Sequence, residues 1–142
     1  MGVKVLALDI ATKTGYSLPE TSGTYDMSFA EYDGAKFAAF SAWLANMIDE
    51  YNPDLIALET PFMRGDHTRL LFGLAAVAHM MAVFHKKKAT ERSIQAIKKY
   101  ATGSGNVKKI EVFQAIKDKG FNPLDDNEAD AIALRLLVES EI

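Results

Sequence analysis

Two short apolar runs each end in a carboxylate, and a third group of acids opens a late helical segment. Val3 to Asp9 is a nearly continuous β-branched and leucine run closing on Asp9, and Asp54 to Glu59 repeats the pattern and closes on Glu59. Such runs suit strands buried on both faces, and strand ends are where open α/β sheets build their sites. The third group, Asp125, Asp126, Glu128 and Asp130, follows Phe121-Asn122-Pro123. Carboxylates gathered beside buried strands, with no evident cationic partner, repel strongly at low dielectric unless a cation lies between them. Oxygen-only ligation favours Mg²⁺ or Mn²⁺. A pair of such ions about 4 Å apart is a common arrangement for in-line phosphodiester hydrolysis. Asp130 is the acid hardest to explain as a cap, because it lies in an alanine-rich apolar stripe (Ala129, Ala131, Ala133) where an unpaired carboxylate is costly. Asp126 and Asp130 are four apart and Asn127 and Asp130 three apart, so either pair shares a helix face.

Opposite in character is the stretch Lys98-Lys99-Tyr100-Ala101-Thr102-Gly103-Ser104-Gly105-Asn106-Val107-Lys108-Lys109, which sets glycines and a helix start among four lysines. Lysines in a first helical turn oppose the macrodipole by about 0.3–1 kcal/mol each. A phosphate held by backbone N–H groups and ammonium ions would compensate them. The G-x-x-x-x-G-K-[ST] spacing of a nucleotide-binding loop is missing. Charge is segregated to match: residues 86–119 carry ten basic and three acidic side chains in a chain whose net charge is −3. That pattern reads either as a solvated lysine face or as a phosphate-backbone contact surface beside an acidic site. Phe62, beyond Pro61, could stack on an unpaired base or anchor the loop. His67, His79 and His85 lack the i, i+4 spacing of a zinc helix and read as surface or core residues, and Met80, Met81 and Phe84 read as packing.

The elements that must position these groups follow from periodicity. The 142 residues suit one domain, 1–142, with a packed core. After Val3 to Asp9, two further strands are predicted at Gly15 to Leu18 and Thr24 to Tyr32. Phe37, Phe40, Trp43, Leu44, Met47 and Ile48 give Ala35 to Tyr51 a helical face. Asp54 to Glu59 is the fourth strand, Thr68 to His85 a helix apolar nearly all round, and Thr90 to Gln95 a short fifth strand. A helical turn at Ala96 to Ala101, a helix at Val107 to Lys119 capped by Asn106, and a last helix at Asn127 to Glu139 complete the reading. The order predicts a mixed sheet with helices on its faces. The absence of cysteine excludes a disulfide framework, a thiolate metal site and a catalytic thiol. The amino terminus does not read as a signal peptide, and the apolar run Leu70 to Phe84 reads as too short for a bilayer, so no membrane is expected.

Four segments together resemble the motifs of the RuvC family of Holliday-junction resolvases, in the RNase H-like nuclease superfamily, and particularly its short phage-type members. Leu8-Asp9-Ile10-Ala11-Thr12-Lys13-Thr14-Gly15-Tyr16 resembles the first-strand motif and Leu58-Glu59-Thr60-Pro61-Phe62 the second. Ile97 to Lys109 is similar to the basic third motif, and Asp126-Asn127-Glu128-Ala129-Asp130-Ala131 to the fourth. Each is weak alone; four in order, across about residues 3 to 138, are specific.

The resemblance implies an α/β, RNase H-like fold with a five-stranded mixed sheet flanked by helices. It implies a crossover junction endodeoxyribonuclease with two divalent ions, Mg²⁺ or Mn²⁺, held by Asp9, Glu59 and Asp130. Lys98 and Lys109 match lysines near the scissile phosphate, and Phe62 the aromatic that contacts bases at the junction centre. Lys99, Thr102, Gly103, Ser104, Gly105 and Lys108 are expected to contact DNA. Partners would be branched DNA and a second copy, paired through the helix of residues 68–85, in the cytoplasm, or the host cytoplasm for a phage-encoded chain. One departure stands out: the family commonly has an acid or histidine three residues before the last aspartate, where this chain has Asn127. Charge favours Asp126 as the fourth ligand, with Asn127 behind it or as a cap. Competing readings are a less selective nuclease on flaps, forks or RNA-containing duplexes, a non-cleaving junction-binding protein, and a fragment of the sugar-kinase and actin superfamily.

Overall fold

A computed structural model of the chain describes residues 2–142. The elements in order are β1 (Val5–Asp9), β2 (Lys13–Ser17), β3 (Ser22–Asp26), α1 (Asp33–Tyr51), β4 (Leu55–Glu59), α2 (Thr68–Phe84), β5 (Lys88–Arg92), α3 (Ile94–Thr102), α4 (Lys109–Asp118) and α5 (Asp126–Ser140). A 3-10 turn at Gly65–His67 leads into α2. The strands form one mixed sheet in the order β3-β2-β1-β4-β5, antiparallel across β3, β2 and β1 and parallel across β1, β4 and β5.

Side chains alternate along each strand, so each central strand feeds two cores. Leu6, Leu8, Ile56 and Leu58 face α1 and α2, where they meet Phe40, Leu44, Leu74 and Ala78. Val5, Ala7 and Ala57 face α3, α4 and α5, where they meet Ile97, Val112, Ile116 and Ile132. Asp9 and Glu59 continue this second set by the same alternation. The parallel register pairs Ala7 with Ala57 and Leu8 with Leu58. The next residue on each strand therefore sets the two carboxylates side by side at one edge of the sheet, beneath α5.

Three devices bring α5 close to that edge. Ala7 and Ala57 below and Ala129 and Ala133 above leave little bulk between helix and sheet. Gly15, which pairs with Asp9 across β1 and β2, has no room for a side chain: a Cβ there would lie 2.0 Å from the Asn127 carbonyl oxygen. Polar clamps then fix the helix start to β3. Asp125 caps α5 by accepting from the Glu128 N–H at 2.8 Å and also accepts from the Thr24 hydroxyl at 2.9 Å. Glu128, nearly buried, accepts from the Ser22 hydroxyl at 2.6 Å and the Leu124 N–H at 3.0 Å. Two of the four acids in the late cluster are thus structural.

Several element bounds differ from the sequence reading. The third strand is Ser22–Asp26, not Thr24 to Tyr32, because the chain turns at Met27, whose N–H bonds the Thr12 carbonyl at 2.8 Å and whose side chain is buried. The fifth strand is Lys88–Arg92 rather than Thr90 to Gln95, since Ser93 accepts from the Ala96 N–H and starts α3, a nine-residue helix where only a turn was expected. The fourth helix begins at Lys109 with Lys108, not Asn106, in the capping position, and the Glu111 carboxylate accepts the Lys108 N–H at 2.8 Å. That intrachain bond takes one donor expected to face a phosphate. Gly65–Phe84, 20 residues that contain an 18-residue stretch of mean hydropathy 1.4, is long and apolar enough to cross a membrane by length and composition, contrary to the shorter reading of Leu70 to Phe84. Leu70, Leu71, Leu74, Ala75, Ala78, Met81 and Ala82 are nonetheless buried in this fold's own core.

Gly15→Ala is expected to displace the start of α5 at a cost of about 1–3 kcal/mol, typical of overpacking. Thermal unfolding should show a loss of several degrees. Gly34→Ala, in α1 where the nearest atom to a new Cβ is 3.5 Å away, should leave Tm unchanged or higher.

Candidate active site

A cleft of about 540 Å³ opens at the sheet edge where β1 and β4 end. Its lining combines the acids Asp9 and Glu59 and the amide of Asn127 with the cations Lys13, Arg64, Lys98 and Lys109, together with Thr12, Phe62 and His67 and the apolar Ile10, Leu70, Leu71 and Ile94. Asp9 is only 7% exposed and Asp130 2%, and one carboxylate oxygen of each, Oδ2, is buried with no hydrogen-bond partner among the described residues. Lys109, the first residue of α4, extends its ammonium to 3.7 Å from Asp130 Oδ2 and 3.9 Å from Asp126 Oδ2. The acids therefore do have a cationic neighbour, which the sequence did not reveal.

The structure brings Asp9, Glu59, Asp130, Lys98 and Lys109 together. At the start of α5, Asn127 lines the cleft while Asp126 stands half exposed and faces Lys109. Phe62 lines the cleft and is 41% exposed, so it is not a buried anchor. Lys99, Thr102, Gly103, Ser104, Gly105 and Lys108 lie outside the cleft; the Thr102 hydroxyl caps the end of α3 by donating to Lys98 O, and the loop beyond it is largely exposed. Lys13, Arg64 and His67 line the cleft and were not among the expected site residues. Lys13 follows the Asp9 strand directly and Arg64 lies two residues after Phe62, so adjacency to the two strand-end acids was the available signal. His67 was read as surface or core for want of a partner histidine, a criterion that tests only for zinc.

No protein-family model matches the chain. The crossover junction endodeoxyribonuclease RuvC of Dehalococcoides mccartyi is 32% identical over 103 residues, covering 69% of this chain and 62% of that protein. RuvC of Alkaliphilus oremlandii is 34% identical over 98 residues, covering 66% and 60%. This chain is a RuvC homologue. The matched region spans about three fifths of those relatives' length. Among solved structures, Thermus thermophilus RuvC in complex with a Holliday junction substrate superposes with a TM-score of 0.80 at 16% identity, covering 98% of this chain and 94% of that one. The fowlpox virus resolvase in its Holliday junction DNA complex gives 0.60 at 14% identity, covering 97% and 99%. These likenesses place the mixed five-stranded sheet and its flanking helices in the RNase H-like fold of the resolvases.

In this RuvC homologue the acids are held against their ordinary ionisation. Burial, then Glu59 and Asp130, push the Asp9 carboxyl well above its usual range. Burial and then Asp130 raise Glu59 to about 7. Burial raises Asp130 to about 6, with Lys109 pulling the other way. For Lys109, burial works against the charge, but Asp9, Asp130, Asp126 and Glu59 together outweigh it and its pKa rises. Unpaired, desolvated carboxylate oxygens are the donors a hard divalent cation takes, so the set fits Mg²⁺ or Mn²⁺. Among the described residues no three acids or histidines are gathered closely enough to hold an ion by themselves, so the fit rests on the two unpartnered oxygens of Asp9 and Asp130.

The raised carboxyl pKa values fix a sign. Their stabilising contribution is complete below the unfolded carboxylate range, near pH 4, and is lost as pH rises through about 6 to 7. In EDTA, Tm should therefore fall between about pH 5 and pH 8 and be restored at pH 8 by excess Mg²⁺. Glu59→Gln, which removes a carboxylate whose pKa of about 7 leaves it charged at pH 8, should raise Tm in EDTA at pH 8 by several degrees. Scanning calorimetry checks both, and a Tm for Glu59→Gln at or below wild type would refute the electrostatic account.

Proposed function

We propose that this chain is a metal-dependent endonuclease that resolves four-way DNA junctions. The observation carrying the reading is the meeting of Asp9, Glu59 and Asp130, two of them with an unpartnered buried oxygen, beside a cleft lined by Lys13, Lys98, Lys109 and the partly exposed Phe62. The names of the relatives, crossover junction endodeoxyribonuclease, and the junction DNA in the Thermus and fowlpox complexes support the substrate.

In this reading Asp9, Glu59 and Asp130 hold two Mg²⁺ or Mn²⁺ ions, with Asp126 or Asn127 as a further oxygen donor. Bound there, the ions would activate water and stabilise charge on the leaving oxygen. The chain's own contribution is positioning. Lys98 and Lys109 neutralise the non-bridging oxygens of the scissile phosphate, and Lys13 and Arg64, which line the same cleft, hold flanking phosphates. Phe62 stacks on a base freed at the branch point. The apolar lining keeps bulk water out, which strengthens each of these contacts. Water adds to phosphorus as the bond to the 3′ oxygen breaks, leaving 5′-phosphate and 3′-hydroxyl ends that can be religated.

Cutting two strands symmetrically needs two sites. The face of α2 away from the core carries Phe72, Met80, Val83 and Phe84, each between 44% and 73% exposed. These positions recur at helical spacing and form one apolar stripe, which a second copy would cover through a two-fold contact. Where DNA is exchanged sets where the enzyme works: the cytoplasm, or that of the host for a phage-encoded chain.

Incubation with a mobile four-way junction, a flap and a linear duplex, with and without Mg²⁺, tests the proposal. Paired nicks in the junction only, and only with metal, are expected; equal cutting of all three would favour the less selective nuclease. Asp9→Asn, Glu59→Gln and Asp130→Asn should each lower cleavage by at least about 10²-fold while junction binding in EDTA changes little, because the cationic lining remains. Full cleavage by any one of them removes that residue from the site. Met80→Glu should convert a dimer to a monomer in sedimentation and uncouple the two nicks; an unchanged mass would exclude α2 as the contact.

A further inference from the structure

Lys109 is placed where a metal ion would have to go. Its ammonium lies 3.7 Å from Asp130 Oδ2 and 3.9 Å from Asp126 Oδ2, close enough to neutralise them and too far to hydrogen-bond. Asp130 Oδ2 accordingly remains buried and unpartnered. A divalent ion binds a carboxylate oxygen at roughly 2 Å, so an ion on Asp130 would share the same small space with a like charge. Lys109 can leave: its side chain is 47% exposed, and its position in the first turn of α4, where the helix dipole repels a cation, does not retain it there. Its alternative is the open cleft, which it also lines. Lys98 lines the same cleft and makes no ion pair among the described residues.

We propose that Lys109 is the internal counter-ion of the metal-free site, displaced toward the cleft when a divalent ion takes its place, so that metal binding delivers a cation to the DNA phosphate. This rests on the metal-nuclease reading above and goes beyond it by making one side chain the link between two ligands. The coupling is reciprocal: DNA that draws Lys109 away from Asp126 and Asp130 raises the metal affinity of the site by the factor that metal raises the affinity for DNA.

The test uses the full chain without DNA. Mn²⁺ binding is titrated at about pH 8, following free Mn²⁺ by electron paramagnetic resonance, for wild type, Lys109→Met and Lys98→Met. Lys109→Met should bind Mn²⁺ about three- to tenfold more tightly than wild type, the range for losing one half-exposed pair, to Asp126, and one to the buried Asp130, and Lys98→Met should change less than about twofold. Equal or weaker binding by Lys109→Met overturns the proposal, and so does an equal gain in Lys98→Met, which would reduce the effect to net charge. If all three bind alike, only the counter-ion role fails; if none binds Mn²⁺, the metal-nuclease reading falls with it. Junction affinity in Ca²⁺ relative to EDTA gives a second readout: wild type should gain more than Lys109→Met, and equal gains overturn the coupling. Lys109→Gln carries the same comparisons if Lys109→Met proves poorly folded by its Tm.

Discussion

Like charges buried together drive one another apart, and the molecule is organised around resisting that force. Asp9 and Glu59 are held by the parallel register of two central strands, which cannot spread without breaking the ladder. Asp130 is brought down on them by a helix that the sheet admits only because Gly15, Ala7 and Ala57 give up volume. Burial is the largest cause of the raised pKa of each of these acids. The scaffold therefore stores an electrostatic demand that a cation answers, partly with Lys109 and more completely with a divalent ion.

The two strand-end acids were legible because strands buried on both faces are written as unbroken apolar runs, so a carboxylate at the end of one is conspicuous. Asp130 was legible for a related reason, as a charge inside a stripe of alanines. The mixed sheet followed from the order of elements, and the chain's homology to RuvC agrees with the motifs. Tertiary partners were hidden. Glu128 looked like a member of the acidic site, but its carboxylate is spent on Ser22, 106 residues earlier. Lys109 looked like a free phosphate-seeking cation, yet its nearest anions come from α5. Local competition also went unseen: Ser93 could end a strand or cap a helix, and it caps. Met27 could extend β3 or fill the core, and it fills the core.

The donors do not share a common mechanical footing. Asp9 and Glu59 belong to the two most enclosed strands, whereas α5 is tied down through Ser22 and Thr24 of β3, an edge strand whose residues are all at least partly exposed. Edges open at lower free energy than centres, so amide hydrogens of β3 should exchange long before those of β1 and β4. Each such opening releases only the clamps on Asp125 and Glu128 at the start of α5, while the rest of the helix keeps its packing on Ala7 and Ala57 and the bond from Arg135 to Ser17 of β2. The first turn, which carries Asp126 and Asn127, is therefore the softest part of the site, and Asp9, Glu59 and Asp130 the hardest.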